Sequence, residues 1–238
     1  MKVNYDHEQN LHSLKGPVVA LPLLLGGHLP ASILDVGCGT GTWLRSALDL
    51  GISDVFGLDG VALPPEQLHV PEDRIRIVNL LSDWEVTRTY ELVISLEVAE
   101  HLPPEAAGEF VRKLTNCGDR VFFSAANEWQ PGQNHLNCQW PVYWQELFNR
   151  CGFACRDTLR WKIWDDHRIE PWYRQNLFLA ERDAEAGSEP RIPRVVHPDY
   201  MPSACEQWRL RRQGLLVALA ERVDRLVRGR ARGGAPKR

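Results

Sequence analysis

Two spacings of apolar residues alternate along the chain. Short runs rich in Val, Ile, Leu and Phe predict strands at 33–36, 54–59, 74–80, 90–96, 119–125, 153–160 and 176–180. Between them apolar residues recur every three or four positions, predicting helices at 40–50, 104–114 and 141–151 and a short helical crossover at 63–68. Gly51 and Gly152 stop two of these helices, and Pro103-Pro104 opens a third. Leu11, Leu14, Val18, Leu21 and Leu25 mark a leading helix that Pro17 and Pro22 interrupt. Strands alternating with helices need right-handed crossovers and a parallel sheet. The last two strands, joined by a loop expected at 161–175, allow an antiparallel final strand.

The sharpest local feature is Ile33-Leu34-Asp35-Val36-Gly37-Cys38-Gly39-Thr40-Gly41-Thr42-Trp43-Leu44. An apolar strand runs into a glycine turn and a helix start, where backbone N–H groups approach a ligand that a Cβ would block. Thr42 stands where a dinucleotide-binding fingerprint has its third glycine, which disfavours NAD(P). Asp59 closes the second strand, and its two oxygens there suit a bidentate grip on ribose hydroxyls, a turn or cap Asp being the plain alternative. With Asp35 two residues before Gly37, the stretch resembles motif I of class I S-adenosylmethionine (SAM)-dependent methyltransferases. The resemblance covers about residues 30–182. It implies an α/β fold with a Rossmann-like, doubly wound, seven-stranded, mostly parallel sheet, its last strand antiparallel. It also implies SAM as cofactor, held by Asp35, Gly37, Cys38, Gly39, Thr42, Asp59, Gly60, Asn79, Leu80, Leu96 and Glu97. Asn79 would face adenine with Leu80 beside the ring, Asp83 being the substitute if the strand register slips. A leading helix beside the cofactor would bring Tyr5, His7 and His12 toward the pocket, surface or packing roles being the plainer expectation.

Composition narrows the class. A chain of 238 residues allows one α/β domain plus an appendage, and a net charge of −3 argues against a protein that coats nucleic acid. The polar start MKVNYDHEQN is no secretory signal, and the apolar stretch 17–26 is too short to span a bilayer. Six scattered Cys without a C-x-x-C pair fit reduced thiols, so a cytoplasmic location is expected. Most of the nine Trp lie from Trp129 onward, consistent with an aromatic pocket or with a packed core. The boundaries expected are a lead at 1–29, the cofactor domain at 30–182, a Pro- and charge-rich linker at 183–204, and a basic C-terminal helix and tail at 205–238. That helix offers a homodimer contact, or a surface for acidic membrane or phosphates, packing on its own domain being the bland reading.

Methyl transfer from a sulfonium is an in-line displacement whose main demand is alignment, with a general base needed for a hydroxyl acceptor. Two histidines follow strand ends at the ligand-binding edge of the sheet: His101 after the fourth strand and His135 after the fifth. Glu97-x-x-Glu100-His101 resembles a string of small-RNA 2′-O-methyltransferases and ubiquinone-pathway O-methyltransferases, which implies Mg or Mn at Glu97, Glu100, His101 and His135. The same string occurs in class I methyltransferases without metal, where Glu97 lies near the cofactor and Glu100 and His101 brace the next helix. SAANEWQPGQNHLNCQWPVYWQELFNRCGF and WYRQNLFLA resemble bacterial methyltransferases of sugar and natural-product biosynthesis. This implies a small-molecule or glycan acceptor, with Gln133, Trp140 and Tyr143, flanked by Trp129 and Trp144, as its wall. Asp165, Asp166 and His167 are another possible base group, an exposed charged turn being the plainer account. The expectation is thus methyl transfer from SAM to a hydroxyl of a sugar or other small metabolite. A metal-assisted RNA 2′-O-methyltransferase and a non-catalytic SAM-binding module are the rivals.

Overall fold

A computed structural model describes residues 5–7, 13–82 and 84–201. Seven strands form one sheet: β1 (Ser32–Val36), β2 (Asp54–Asp59), β3 (Ile75–Ile77), β4 (Leu92–Leu96), β5 (Arg120–Ser124), β6 (Phe153–Arg156) and β7 (Phe178–Arg182). Their order is β3-β2-β1-β4-β5-β7-β6, and β7 runs antiparallel to both neighbours while the other pairs are parallel. The helices are α1 (Lys15–Leu25), α2 (Thr42–Asp49), α3 (Ala107–Cys117), α4 (Pro141–Arg150), α5 (Leu159–Ile163) and α6 (Pro171–Asn176). The doubly wound, mostly parallel sheet with an antiparallel last strand is as the sequence led us to expect.

β1 and β4 are buried at every position, because helices cover both faces of the central sheet. Successive side chains on β5 point to opposite faces. Phe123 packs against Phe148 of α4 at 5.2 Å between ring centroids, and Phe122 joins the other core layer with Leu21 and Leu24 of α1 and Leu44 of α2. The strand order reverses between β1 and β4, and ligands of open α/β sheets bind outside the carboxyl ends of the strands at that point.

Several boundaries differ from the sequence reading. The third strand stops at Ile77, so Asn79 falls in a turn, where its Oδ1 accepts the Leu81 N–H at 3.1 Å. The sixth strand stops at Arg156, because the buried Arg160 guanidinium folds back onto Asp157 at 2.7 Å and starts α5. The expected 161–175 loop holds the end of α5 and all but the last residue of α6, which Pro171 opens at a position that needs no N–H donor. The stretch expected as a linker from 183 is tied down along its first part. Glu189 Oε1 accepts N–H groups from Gln145, Asn149 and Cys155, and Ile192 and His197 are buried. The compact unit accordingly runs through His197, and the unit that begins at Pro198 shows a short 3₁₀ turn at Pro198–Tyr200. The C-terminal helix and its dimer contact, with His12 and Asp83, lie outside the described residues. Among the described residues no helix is long and apolar enough to cross a membrane.

Candidate functional site

A cavity of about 420 Å³ opens at the carboxyl ends of the parallel strands. Its lining takes Asp35, Gly37, Cys38, Gly39 and Thr42 from the β1–α2 turn, Asp59 and Gly60 from the end of β2, Leu80, and Leu96 and Glu97 from the end of β4. Ten of the expected cofactor residues therefore converge. Asn79 does not line the cavity, since the early end of β3 turns it outward.

The β1–α2 turn owes its shape to its glycines. Gly37 has φ +84°, and a Cβ there would stand 2.3 Å from a methyl of Val98, so only glycine lets the turn pack under the β4 loop. Gly39 donates its N–H to Asp59 Oδ2 at 2.7 Å, and Val61 donates to Oδ1 at 2.8 Å, which fixes that carboxylate between the two loops. Asp35 is 2% exposed and its Oδ2 has no hydrogen-bond partner among the described residues. Burial, with Asp59 beside it, pushes the Asp35 carboxyl up to about 8.

Glu97 sits at φ +56° and is held on both sides. Its N–H meets the carbonyl and hydroxyl oxygens of Ser124, while its carboxylate accepts from Gln130 Nε2 at 2.7 Å and Asn176 Nδ2 at 3.1 Å. Asn176 also donates to Gln130 Oε1 at 2.8 Å, so α6 braces this wall of the cavity. Sequence reasoning missed Gln130 and Asn176. Both stand in stretches quoted for their resemblance, but no periodicity marks an amide that reaches across the sheet edge.

On the next wall Glu100, His101 and His135 meet, each offering one ligand atom within 4.8 Å of the others. Glu97, expected to complete a metal set, is not in this group because Gln130 and Asn176 hold its carboxylate. Glu100 is 1% exposed, and both its Oε2 and His101 Nδ1 are buried without a hydrogen-bond partner among the described residues. Burial and the nearby Glu97 push Glu100 far above the usual carboxylate range. Burial, with His135 alongside, pulls His101 down to about 4. Burial also lowers His135, whose Nδ1 lies 3.2 Å from the Gln130 carbonyl oxygen and so carries the ring proton, leaving a lone pair on Nε2. Gly132 makes room for that ring, since a Cβ there would stand 2.0 Å from Nε2.

Residues 5–7 close over these groups. The Asp6 N–H donates to Gln133 Oε1 at 2.8 Å, Tyr5 packs edge-on against His101 and His7, and His7 Nε2 lies 3.4 Å from Asp59 Oδ1. Burial and the Glu100, Asp59 and Glu97 carboxylates push the Tyr5 phenol up to about 12. Of the expected acceptor wall, Gln133 lines the cavity and Trp140 and Tyr143 do not. Trp140 is buried at the N-cap of α4 with the exposed Trp129 against it, and Tyr143 packs edge-on against the core residue Trp144. Asp165, Asp166 and His167 also lie outside it, with Asp166 paired to Arg168. Glu170, Trp172 and Tyr173 also line the cavity, none of them anticipated.

Solved structures share the fold. Magnesium protoporphyrin IX methyltransferase from Synechocystis PCC 6803, with bound SAM, is 21% identical over 69% of this chain and 76% of its own, with a TM-score of 0.51. The methyltransferase domain of bacterial CtHen1-C is 17% identical over 72% of this chain and 100% of its own, with a TM-score of 0.52. A SAM-bound amino pentose methyltransferase of calicheamicin biosynthesis, from Micromonospora echinaspora, is 15% identical over 76% of this chain and 99% of its own, with a TM-score of 0.51. No curated protein matches the chain. The family described as Methyltransferase domain matches residues 11–169, and the chain belongs to that family.

Proposed function

We propose that the protein transfers a methyl group from SAM to a hydroxyl of a sugar or other small metabolite. The observation that carries the donor half is the pair Asp35 and Asp59, one carboxyl buried without a partner and the other fixed by two backbone N–H groups at adjacent strand ends. Asp59 receives the ribose hydroxyls, for which His7 must yield its contact with Oδ1. Gly60 and Leu80 border the adenine, and Leu96 and Glu97 the methionine end. The acceptor oxygen attacks the methyl carbon as the S–CH₃ bond breaks and its electrons return to sulfur. The hydroxyl proton passes to His135 Nε2, whose lowered pKa keeps the ring neutral and able to accept it. His101 and Gln133 flank the acceptor. Methyl-labelled SAM incubated with a metabolite extract tests this: label on oxygen of a small molecule is expected, and label confined to nitrogen or RNA rules the acceptor reading out.

A second reading rests on the two unpartnered atoms Glu100 Oε2 and His101 Nδ1. With His135 they fit Mg or Mn, neutral imidazoles being the form that ligates. Such an ion would acidify an acceptor hydroxyl. Turnover abolished by EDTA and restored by Mg or Mn supports this reading, and turnover untouched by EDTA removes it.

A further inference from the structure

The reaction above leaves the Glu170 carboxylate unused. Glu170 is the N-cap residue of α6 and lines the cavity beside Trp172 and Tyr173. Its Oε2 is buried without a hydrogen-bond partner among the described residues, and burial raises its pKa. The carboxyl group lies so close over Gly16, in the first turn of α1, that a Cβ there would stand 1.7 Å from Oε2. Any side chain at position 16 would push the carboxyl group from its place. Arg174 pulls Glu170 toward the charged form, but its guanidinium donates to the carbonyl oxygens of Ile169 and Trp164. No Lys or Arg lines the cavity among the described residues.

The surroundings indicate what this carboxylate faces. The Tyr173 hydroxyl accepts the Trp43 indole N–H at 3.3 Å, with the rings edge-on at 5.2 Å. Trp43 and Thr42 belong to the first turn of α2, where unpaired N–H groups and the helix dipole favour an anion. A carboxyl group that lines the same cavity as the Trp172 and Tyr173 rings favours a cation. An amino-acid group presents one of each.

We propose that Glu170 is the counter-ion of a primary ammonium group bound in the cavity, with Trp172 and Tyr173 as its aromatic walls. The proposal rests on the reading of the cavity as a SAM site. The ammonium belongs either to the amino-acid end of the methyl donor or to an amine-bearing acceptor, and binding experiments separate the two.

The proteins compared are wild type and Glu170→Gln, titrated in a calorimeter with S-adenosylhomocysteine and with its analogue lacking the α-amino group. If the donor supplies the ammonium, Glu170→Gln weakens S-adenosylhomocysteine by about 10- to 100-fold, the range for a charged hydrogen bond, and leaves the deaminated analogue unchanged. If the acceptor supplies it, S-adenosylhomocysteine binds both proteins alike. The loaded wild type then takes up glucosamine in preference to glucose, and Glu170→Gln loses that preference. Glu170→Asp keeps the charge and retains the ammonium preference, which covers the case of a Gln variant that does not fold. The proposal is overturned if Glu170→Gln changes none of these affinities, or if it weakens S-adenosylhomocysteine and the deaminated analogue equally. Failure of wild type to bind S-adenosylhomocysteine at all would instead overturn the SAM reading beneath it.

Discussion

Glu189 and the carboxylates of the cavity are withdrawn from water in opposite ways. Glu189 Oε1 accepts from Gln145, Asn149 and Cys155, and its Oε2 accepts the Gly187 N–H at 2.7 Å. Burial works against its charge, yet the donors from Gln145, Cys155 and Asn149 win and hold the group at about 2. Asp35, Glu100 and Glu170 each keep a buried oxygen with no hydrogen-bond partner among the described residues, and burial pushes all three upward. Folding completes the first region by itself. The second is left for something else to complete, because a buried polar atom without a partner costs free energy until a donor or cation reaches it.

The largest effect that sharpens this contrast is on turnover. His135→Ala should lower the rate by about 10²- to 10⁴-fold, the usual range for a general base, and leave S-adenosylhomocysteine affinity within about twofold. Full activity in steady-state assays would end the role of His135 as base. Next comes stability. Glu189→Ala leaves the N–H groups from Gln145, Asn149 and Cys155 without this acceptor and should cost about 1–3 kcal/mol in urea unfolding, whereas Glu100→Gln should cost nothing or stabilise the unliganded protein. Equal losses in the two variants would erase the distinction between the regions.

A smaller effect follows from pH. In the folded, unliganded protein Asp35 holds its proton up to about 8, while in the unfolded chain it ionises near 3.8. The unfolded state therefore binds fewer protons across that window, and Asp35 makes the protein less stable as pH rises from about 4 toward 8. Glu189 acts the other way, contributing stability above its ordinary range that is lost as pH falls toward about 2. Thermal melts of Asp35→Asn should show a flatter dependence than wild type between pH 4 and 8, and an unchanged slope would contradict the assignment.

The strand-end residues that line the cavity were legible because they end apolar runs. Asp35, Asp59 and Glu97 each stand where a buried strand gives way to a turn, and the sheet order delivers all three to one edge. Asn79 was misplaced because β3 is mostly exposed and stops before it, so no buried run fixed its end. The acceptor wall was hard to read for a different reason. An aromatic surplus does not separate packing from lining, and the α4 face that turns Trp144 and Phe148 into the core leaves Trp140 and Tyr143 beside it. Glu170 and Gln130 line the cavity and Asn176 holds Glu97 from stretches distant in sequence, which no local spacing encodes.

Calorimetric titration of wild type with S-adenosylhomocysteine and with NADH tests the central claim most directly. Saturable one-to-one binding of S-adenosylhomocysteine, weakened strongly by Asp59→Ala, with no heat from NADH, is the predicted result. Binding of NADH without S-adenosylhomocysteine, or equal S-adenosylhomocysteine affinity in Asp59→Ala, would contradict it.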